Sequence, residues 1–264
     1  MKLKNMSWPQ VGEAAGSAVA LLPLGAIEQH GPHLAVSTDA GIVSKITDAV
    51  EERLGDAVVL CPTLVFGSSH HHLHFPGTMS LRADLYTEVL RDLARSLIAA
   101  GFRRIVLFNG HGGNVTPARQ AMALLSHEFD APRGPNIALA TYWELAGKAF
   151  AGAPPMESPA LSHSCEYETS LMLHLFPERV RMEAARRAAR PASNGYIPWE
   201  DDVPPRGVSM TKKTEFISSN GSSGEPNKGT AAKGEHLFRA AVDAAVEFVA
   251  SFKDWPLMED LRSE

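Results

Sequence analysis

Apolar residues along this chain recur in two rhythms, and the switch between them lays out the elements. Val19–Leu24 is an almost purely apolar run, the mark of a strand covered on both faces, and residues 57–61 and 104–108 repeat it. Residues 137–143 complete a set of predicted strands. Between them the spacing changes to three and four. Ile42, Val43, Ile46 and Val50 fall on one side of a helix over 40–54, for which Thr38 or Asp39 is a suitable cap. Leu85, Val89, Leu90, Leu93 and Leu97 stripe a helix over 84–101, with Gly101 as its stop. Further helices are predicted over 116–129, after Glu166 and over 228–252. Strands alternating with helices predict an α/β fold with a mainly parallel sheet. Residues 147–159, rich in Gly, Ala and Pro, read as a surface loop, 177–222 as irregular, and Gly224-Glu-Pro226 as a turn.

The polar residues that interrupt this pattern gather where strands end. Glu28, Gln29, His30, His33 and Asp39 follow the first strand within a dozen positions. In extended chain Glu28 and His30 project from one face, and a turn at Gly31-Pro32 can bring Asp39 back towards them. Two carboxylates and an imidazole suit a divalent transition metal such as zinc, iron or manganese; the other reading is a buried salt-bridged cluster. His70, His71, His72 and His74 crowd the loop 67–81 as ligands, substrate contacts or a solvated run. The strand over 104–108 enters Asn109-Gly-His-Gly-Gly-Asn114, the kind of turn at which open α/β sheets bind ligands. A phosphate cradle would use the free N–H groups of the following helix. Neither glycine fingerprint of such cradles is present, and His111 is better placed as a ligand or acid–base group. Asn109 and Asn114 are expected to hold the loop. His163, Glu166 and Glu168 precede the apolar part of the next helix, near the same end of the sheet.

Charge and cysteine usage narrow the partners. A net charge of -5 and a pI near 6.1 without a basic stripe argue against nucleic acid or an anionic membrane. Cys61 and Cys165 lie in unrelated segments and read as free thiols of a reducing compartment. Lys2 and Lys4 ahead of the apolar stretch 14–27 faintly resemble a secretory leader, but Trp8, Pro9, Gln10, Glu13 and Pro23 interrupt it. No apolar run reaches the roughly 20 residues of a membrane span, so a cytoplasmic protein is expected.

Taken together, Glu28-Gln-His-Gly-Pro-His-Leu34 with Asp39, Phe75-Pro-Gly-Thr78, Asn109-Gly-His-Gly-Gly-Asn114, Glu166-x-Glu-Thr-Ser170 after His163, and Gly224-x-Pro226 resemble the creatininase family, in the family's order. The resemblance implies one domain over 1–264, a three-layer α/β/α sandwich, and a dinuclear amidohydrolase acting on a small-molecule amide, cyclic amide or formamide. It also implies two divalent ions per subunit, zinc foremost with manganese or iron as alternatives. Asp39 would bridge them, Glu28 and His111 would complete one site, and His30 would sit on the other. Creatinine-hydrolysing members carry a metal-binding Glu two residues after the His of the glycine-rich turn, where this chain has Gly113. Glu168 is the expected replacement. His163 would pass the proton to the leaving nitrogen, with Trp143, His72 and Glu166 at the substrate. Creatininases place a Trp four residues before that His, and here the position is Pro159, which argues against creatinine itself. Other branches of the family act on formamides or short peptides, and a homohexamer is the family's usual assembly. An inactive scaffold subunit and a phosphate-ligand binder using the glycine-rich turn are the competing functions.

Overall fold

The computed structural model describes residues 1–129, 134–151, 154–158, 161–189, 191 and 213–259. Its strands β1 (Val19–Leu24), β2 (Val58–Leu60), β3 (Arg104–Asn109) and β4 (Asn136–Thr141) form one parallel sheet in the order β2-β1-β3-β4. Leu21 pairs with Leu60 on one side and with Val106 on the other. The helices of the described residues are α1 (Trp8–Ala15), α2 (Thr38–Leu54), α3 (Ala83–Ala99), α4 (Val115–Glu128), α5 (Tyr142–Leu145), α6 (Glu166–Leu175), α7 (Thr214–Ile217) and α8 (Ala231–Asp254).

The uninterrupted apolar run of β1 follows from its place between two partners and two layers. Val19 and Leu21 pack with Val106 and Phe108 against α2, α6 and α8, where Ile42, Ile46, Leu171, Leu237 and Val249 are buried. Ala20, Leu22 and Leu24 point the other way, with Ile105 and Leu107, onto α1, α3 and α4. The result is a three-layer α/β/α sandwich. Each fully buried Ile, Val or Leu in these layers contributes about 1.5–3 kcal/mol of transfer free energy.

Several boundaries differ from the spacing-based expectation for physical reasons. The stretch 8–15, read as an interruption, is helix α1. Pro9 sits in its first turn, where the missing N–H has no intrahelical partner to lose, and Gln10 Oε1 accepts from the Ser7 N–H at 2.8 Å. The apolar stretch 14–27 is therefore the end of α1 and the central strand, and among the described residues no helix is long and apolar enough to cross a membrane. Helix α2 starts earlier than expected, with Ser37 at its cap position, so neither Thr38 nor Asp39 caps it. On α3 the buried face is Tyr86, Leu90, Ala94 and Leu97, while Leu85 and Leu93 turn outward. Gly101 does end α3: its φ of +104° lets the Gly101 and Phe102 N–H groups bond to the Ile98 and Leu97 carbonyls. Strand β4 stops at Thr141, and Trp143 belongs to the helical turn α5. In 177–222 the described residues form short turns at Pro177–Arg179 and Met182–Ala184 and the single turn α7.

Connectivity creates the crevice that matters. The chain passes from β1 through α2 to β2 on one side, then through α3 to β3 on the other side of β1. Open α/β sheets part at such a reversal, outside the carboxyl ends of the two strands that flank it.

Candidate metal centre

The loop leaving β1 folds back on itself because the Glu28 N–H donates to the Val36 carbonyl at 2.9 Å. That closure returns the chain to the first turn of α2 and places Asp39 beside the residues it left. Asp39 Oδ1 lies 3.0 Å from His30 Nε2, and Oδ2 lies 3.0 Å from His111 Nδ1, which arrives from the turn after β3. Glu28 Oε2 is 3.3 Å from His111 Nε2, and Glu28 Oε1 is 3.4 Å from His72 Nε2 and 3.5 Å from His163 Nδ1. Glu168, from the start of α6, brings Oε2 to 3.8 Å from His30 Nε2. Its orientation is held by the Ser164 N–H, whose residue adopts a left-handed φ of +54°. Strain of that kind in a non-glycine residue persists only where its surroundings impose it.

Burial and charge oppose each other throughout this cluster. Burial disfavours a charged His30, but Asp39 and then Glu168 outweigh it and raise the imidazole to about 10. His111 is likewise lifted well above its ordinary value, against burial, by Glu28 and Asp39. Burial works against the Asp39 and Glu28 carboxylates, yet His30 and His111 hold the first, and His111 the second, below the usual range. For Glu168 burial wins and pushes the carboxyl up to about 7. Burial also keeps His72 neutral. Despite this crowding, Glu28 Oε2, His30 Nε2 and Asp39 Oδ2 are buried without a hydrogen-bond partner. They approach one another but are not aligned as donor and acceptor. Buried polar atoms normally find partners, so atoms left converging on a shared space suit a cation between them. The candidate ligand atoms of Glu28, His30 and Asp39 lie within 4.8 Å of one another, as do those of His30, His163 and Glu168 and those of Glu28, His71 and His111. Oxygen and nitrogen donors of this kind fit zinc, manganese or iron.

The protons that neutralise the cluster give a test of its affinity for metal. Adding zinc to chelator-stripped protein near pH 8 should release protons, because His30, raised to about 10, and His111, raised well above its ordinary value, must give theirs up to bind a cation. Towards pH 6 Glu168 must also be deprotonated, so release should grow and affinity fall. Release close to zero across this range would show that the histidines carry no protons to displace.

The structure brings Glu28, His30, Asp39, His111, Glu168, His163 and His72 together around one cavity of about 370 Å³, with Trp143 in its wall. Gly112 and Gly113 lie along the same cavity. A Cβ at Gly113 would run into the Ser68 carbonyl oxygen and His111 Nε2, so no side chain fits there. Glu166 is not brought to the cavity. Two residues from Glu168 on a helix, it points about 200° away, where it accepts from Lys233 Nζ at 2.6 Å and from the Glu157 and Ser158 N–H groups. His33 bonds to Thr169 Oγ1 at 2.9 Å, His70 to Ser80 and His74 to Glu215, all outside the cluster. The asparagines hold the loop: Asn109 accepts from the His111 N–H, and Asn114 links the Gly25 carbonyl to the Ser68 N–H. Pro159 lies outside the described residues. Sequence reasoning passed over Gln29 as an organiser and the run of small residues Ser218, Gly221, Ser222 and Ser223 that borders the cavity. The Ser-Ser-Asn-Gly-Ser-Ser-Gly stretch at 218–224 was the available signal for the second.

Comparison with known proteins places this arrangement. The sequence model of one family, described as creatininase (creatinine amidohydrolase), matches residues 4–249. The chain belongs to the creatininase family. It is 33% identical over 266 residues to the mycofactocin precursor peptide peptidase of Mycobacterium tuberculosis (strain CDC 1551 / Oshkosh), covering 94% of each chain. It is 32% identical over 187 residues to the creatinine amidohydrolase of Pseudomonas putida, covering 64% of this chain and 69% of that one. Among solved structures, creatinine amidohydrolase (creatininase) superposes with a TM-score of 0.80 at 25% identity over 97% of this chain and 98% of the other. A creatininase mutant of similar likeness is a Zn–Zn type. The named creatininase-family relatives are hydrolases of C–N bonds, and this chain stands among them with donor groups fit for metal.

Proposed function

We propose that this chain is a dinuclear metal-dependent amidohydrolase that cleaves the C–N bond of a small amide, cyclic amide or formamide. The carrying observation is Asp39: each of its oxygens reaches a different imidazole, and buried atoms without hydrogen-bond partners lie to both sides of it. Glu28 and His111 would hold one ion with Asp39, and His30 and Glu168 the other. Two divalent ions in such a site acidify a shared water and polarise a carbonyl.

The chain's own residues supply the rest. Glu28 and Asp39 concentrate negative charge where cations are wanted, and Glu168 adds to it once deprotonated. Gly112 and Gly113 line the cavity without side chains, and Trp143 borders the space for the amide. His163, beside Glu28 and lining the cavity, carries a proton to the departing nitrogen, work for which an imidazole is suited near neutral pH. The His163→Ala protein should keep its metal and lose about 10²–10⁴-fold in turnover. Unchanged turnover with metal in place would remove His163 from the reaction.

The deciding experiment is elemental analysis of protein purified without chelator or an immobilised-metal column. About two divalent ions per chain are expected. No uptake of zinc, manganese or iron would return the scaffold and anion-binding readings. A second substrate reading, a short peptide, is favoured by the peptidase relative, which matches 94% of this chain where the creatinine amidohydrolase matches 64%. Turnover of creatinine, formamides and short peptides side by side separates the two.

A further inference from the structure

Gln29 is buried beside the cluster, and its side chain touches both histidines that face Glu28 Oε1, His72 and His163. Its Oε1 accepts from the Gly31 N–H at 2.9 Å, which fixes which end of the amide is oxygen. Its Nε2 lies 3.0 Å from the Gly221 carbonyl, 2.7 Å from His72 Nδ1 and 2.9 Å from His163 Nε2. A primary amide has two N–H donors for these three neighbours. The Gly221 carbonyl accepts only, so it takes one. His163 Nε2 also lies 2.8 Å from the Gln29 main-chain carbonyl, another group that only accepts. A protonated Nε2 satisfies that carbonyl and then cannot receive the amide, so the second N–H goes to His72 Nδ1. Thr214 Oγ1, 2.9 Å from the same nitrogen, shares it.

We infer that Gln29 is a positioning residue that sets the tautomers of His163 and His72, both with the proton on Nε2. His72 thereby directs an N–H at Glu28 Oε1. His163 keeps Nδ1, on the Glu28 side, as the nitrogen that takes up and delivers the proton. The seat for the amide is built from the other side as well. Gly221 has a φ of +85°, and a Cβ there would run into the Gln29 carboxamide. The loop bordering the cavity therefore closes on Gln29 only because position 221 carries no side chain.

The role assigned to His163 Nδ1 rests on the amidohydrolase reading, but the tautomers themselves are measurable without a substrate. Two-bond 1H–15N spectra of the zinc-loaded full chain, labelled in histidine, report which nitrogen carries hydrogen once both rings are neutral. The signals are assigned by their loss in H163Q and H72Q. Both rings should show hydrogen on Nε2; hydrogen on Nδ1 of His163 overturns the inference. In Gln29→Leu, which keeps the volume and removes the amide, zinc content should hold while the tautomer ratio of His72 shifts by about tenfold, the effect of losing one buried hydrogen bond. Wild-type tautomers in that variant would reduce Gln29 to packing and overturn the inference too. Should Gln29→Leu not fold, Gly221→Ala displaces the amide from outside. The same shift is expected there, and its absence overturns the inference equally. Zinc content of each sample is read separately. A chain that binds no zinc but shows the Nε2 pattern defeats the amidohydrolase reading and leaves this one standing.

Discussion

Replacing Asp39 by alanine should take the protein from about two divalent ions per chain to nearly none, the largest chemical effect expected of any single change. No other carboxylate among the described residues lies within 3.0 Å of imidazoles on both sides. Removing it separates the His30 and Glu168 half of the cluster from the Glu28 and His111 half. Each half then keeps only two of the donors assigned to the ions, His30 with Glu168 and Glu28 with His111, too few to hold zinc in the four-coordinate arrangement it favours. Glu168→Ala should behave differently, losing about one ion, because the Glu28, Asp39 and His111 group stays whole. The fold should survive both changes, since Asp39 makes no capping bond to α2. Elemental analysis beside circular dichroism reads the two effects separately. Full metal content in the Asp39 variant would end the dinuclear reading.

The largest effect on stability is expected far from that chemistry, at Lys233. Glu166 is fully buried and depends on the Lys233 ammonium at 2.6 Å together with two backbone N–H groups. Burial works against its charge, yet Lys233 and these donors hold the carboxyl below its ordinary value. Lys233→Met leaves a buried carboxylate without its cation and should cost about 3–5 kcal/mol at neutral pH. At roughly 2–4 °C per kcal/mol for a chain of this size, the melting temperature should drop by about 10 °C. The sign with pH follows from the depressed carboxyl. The pair's stabilisation is present above the ordinary carboxylate range and is lost as pH falls through the folded value. Wild type therefore loses the contribution in acid, and the gap between the two proteins should narrow as pH falls from about 7 to about 4. The double variant with Glu166→Gln should recover part of the loss, because an amide costs far less to bury than an unpaired charge. An equal gap at both pH values would show that Lys233 acts through packing alone.

Much of the layered fold was legible because its signals are local. The runs at β1 and β3 and the periodic spacing of α2 and α8 state both the element and its covered faces. The first-coordination candidates were legible too, since Glu28, His30, Asp39 and His111 stand next to strand ends and tight turns. What escaped depends on direction or distance. Glu166 and Glu168 look equivalent as neighbours near a helix start, but a step of two along a helix sends them to opposite sides, one to the cavity and one to Lys233. Lys233 lies 67 residues away on α8 and has no local mark of its role. Helix α1 was obscured by Pro9, a breaker inside a helix and a neutral residue in its first turn. Gln29 was legible as a polar residue, whereas its organising role rests on contacts from His163 and Gly221, over a hundred positions on.

The packing at Gly113 also limits how the cluster could be rebuilt. In the dinuclear reading, Glu168 supplies a carboxylate that position 113 has no room to offer. Moving that carboxylate to position 113 takes more than one substitution. Adding a side chain at 113 first drives it into the Ser68 carbonyl and His111, while removing Glu168 first takes a donor from the group it forms with His30 and His163. The Ser68 backbone therefore has to shift before any side chain at 113 is tolerated.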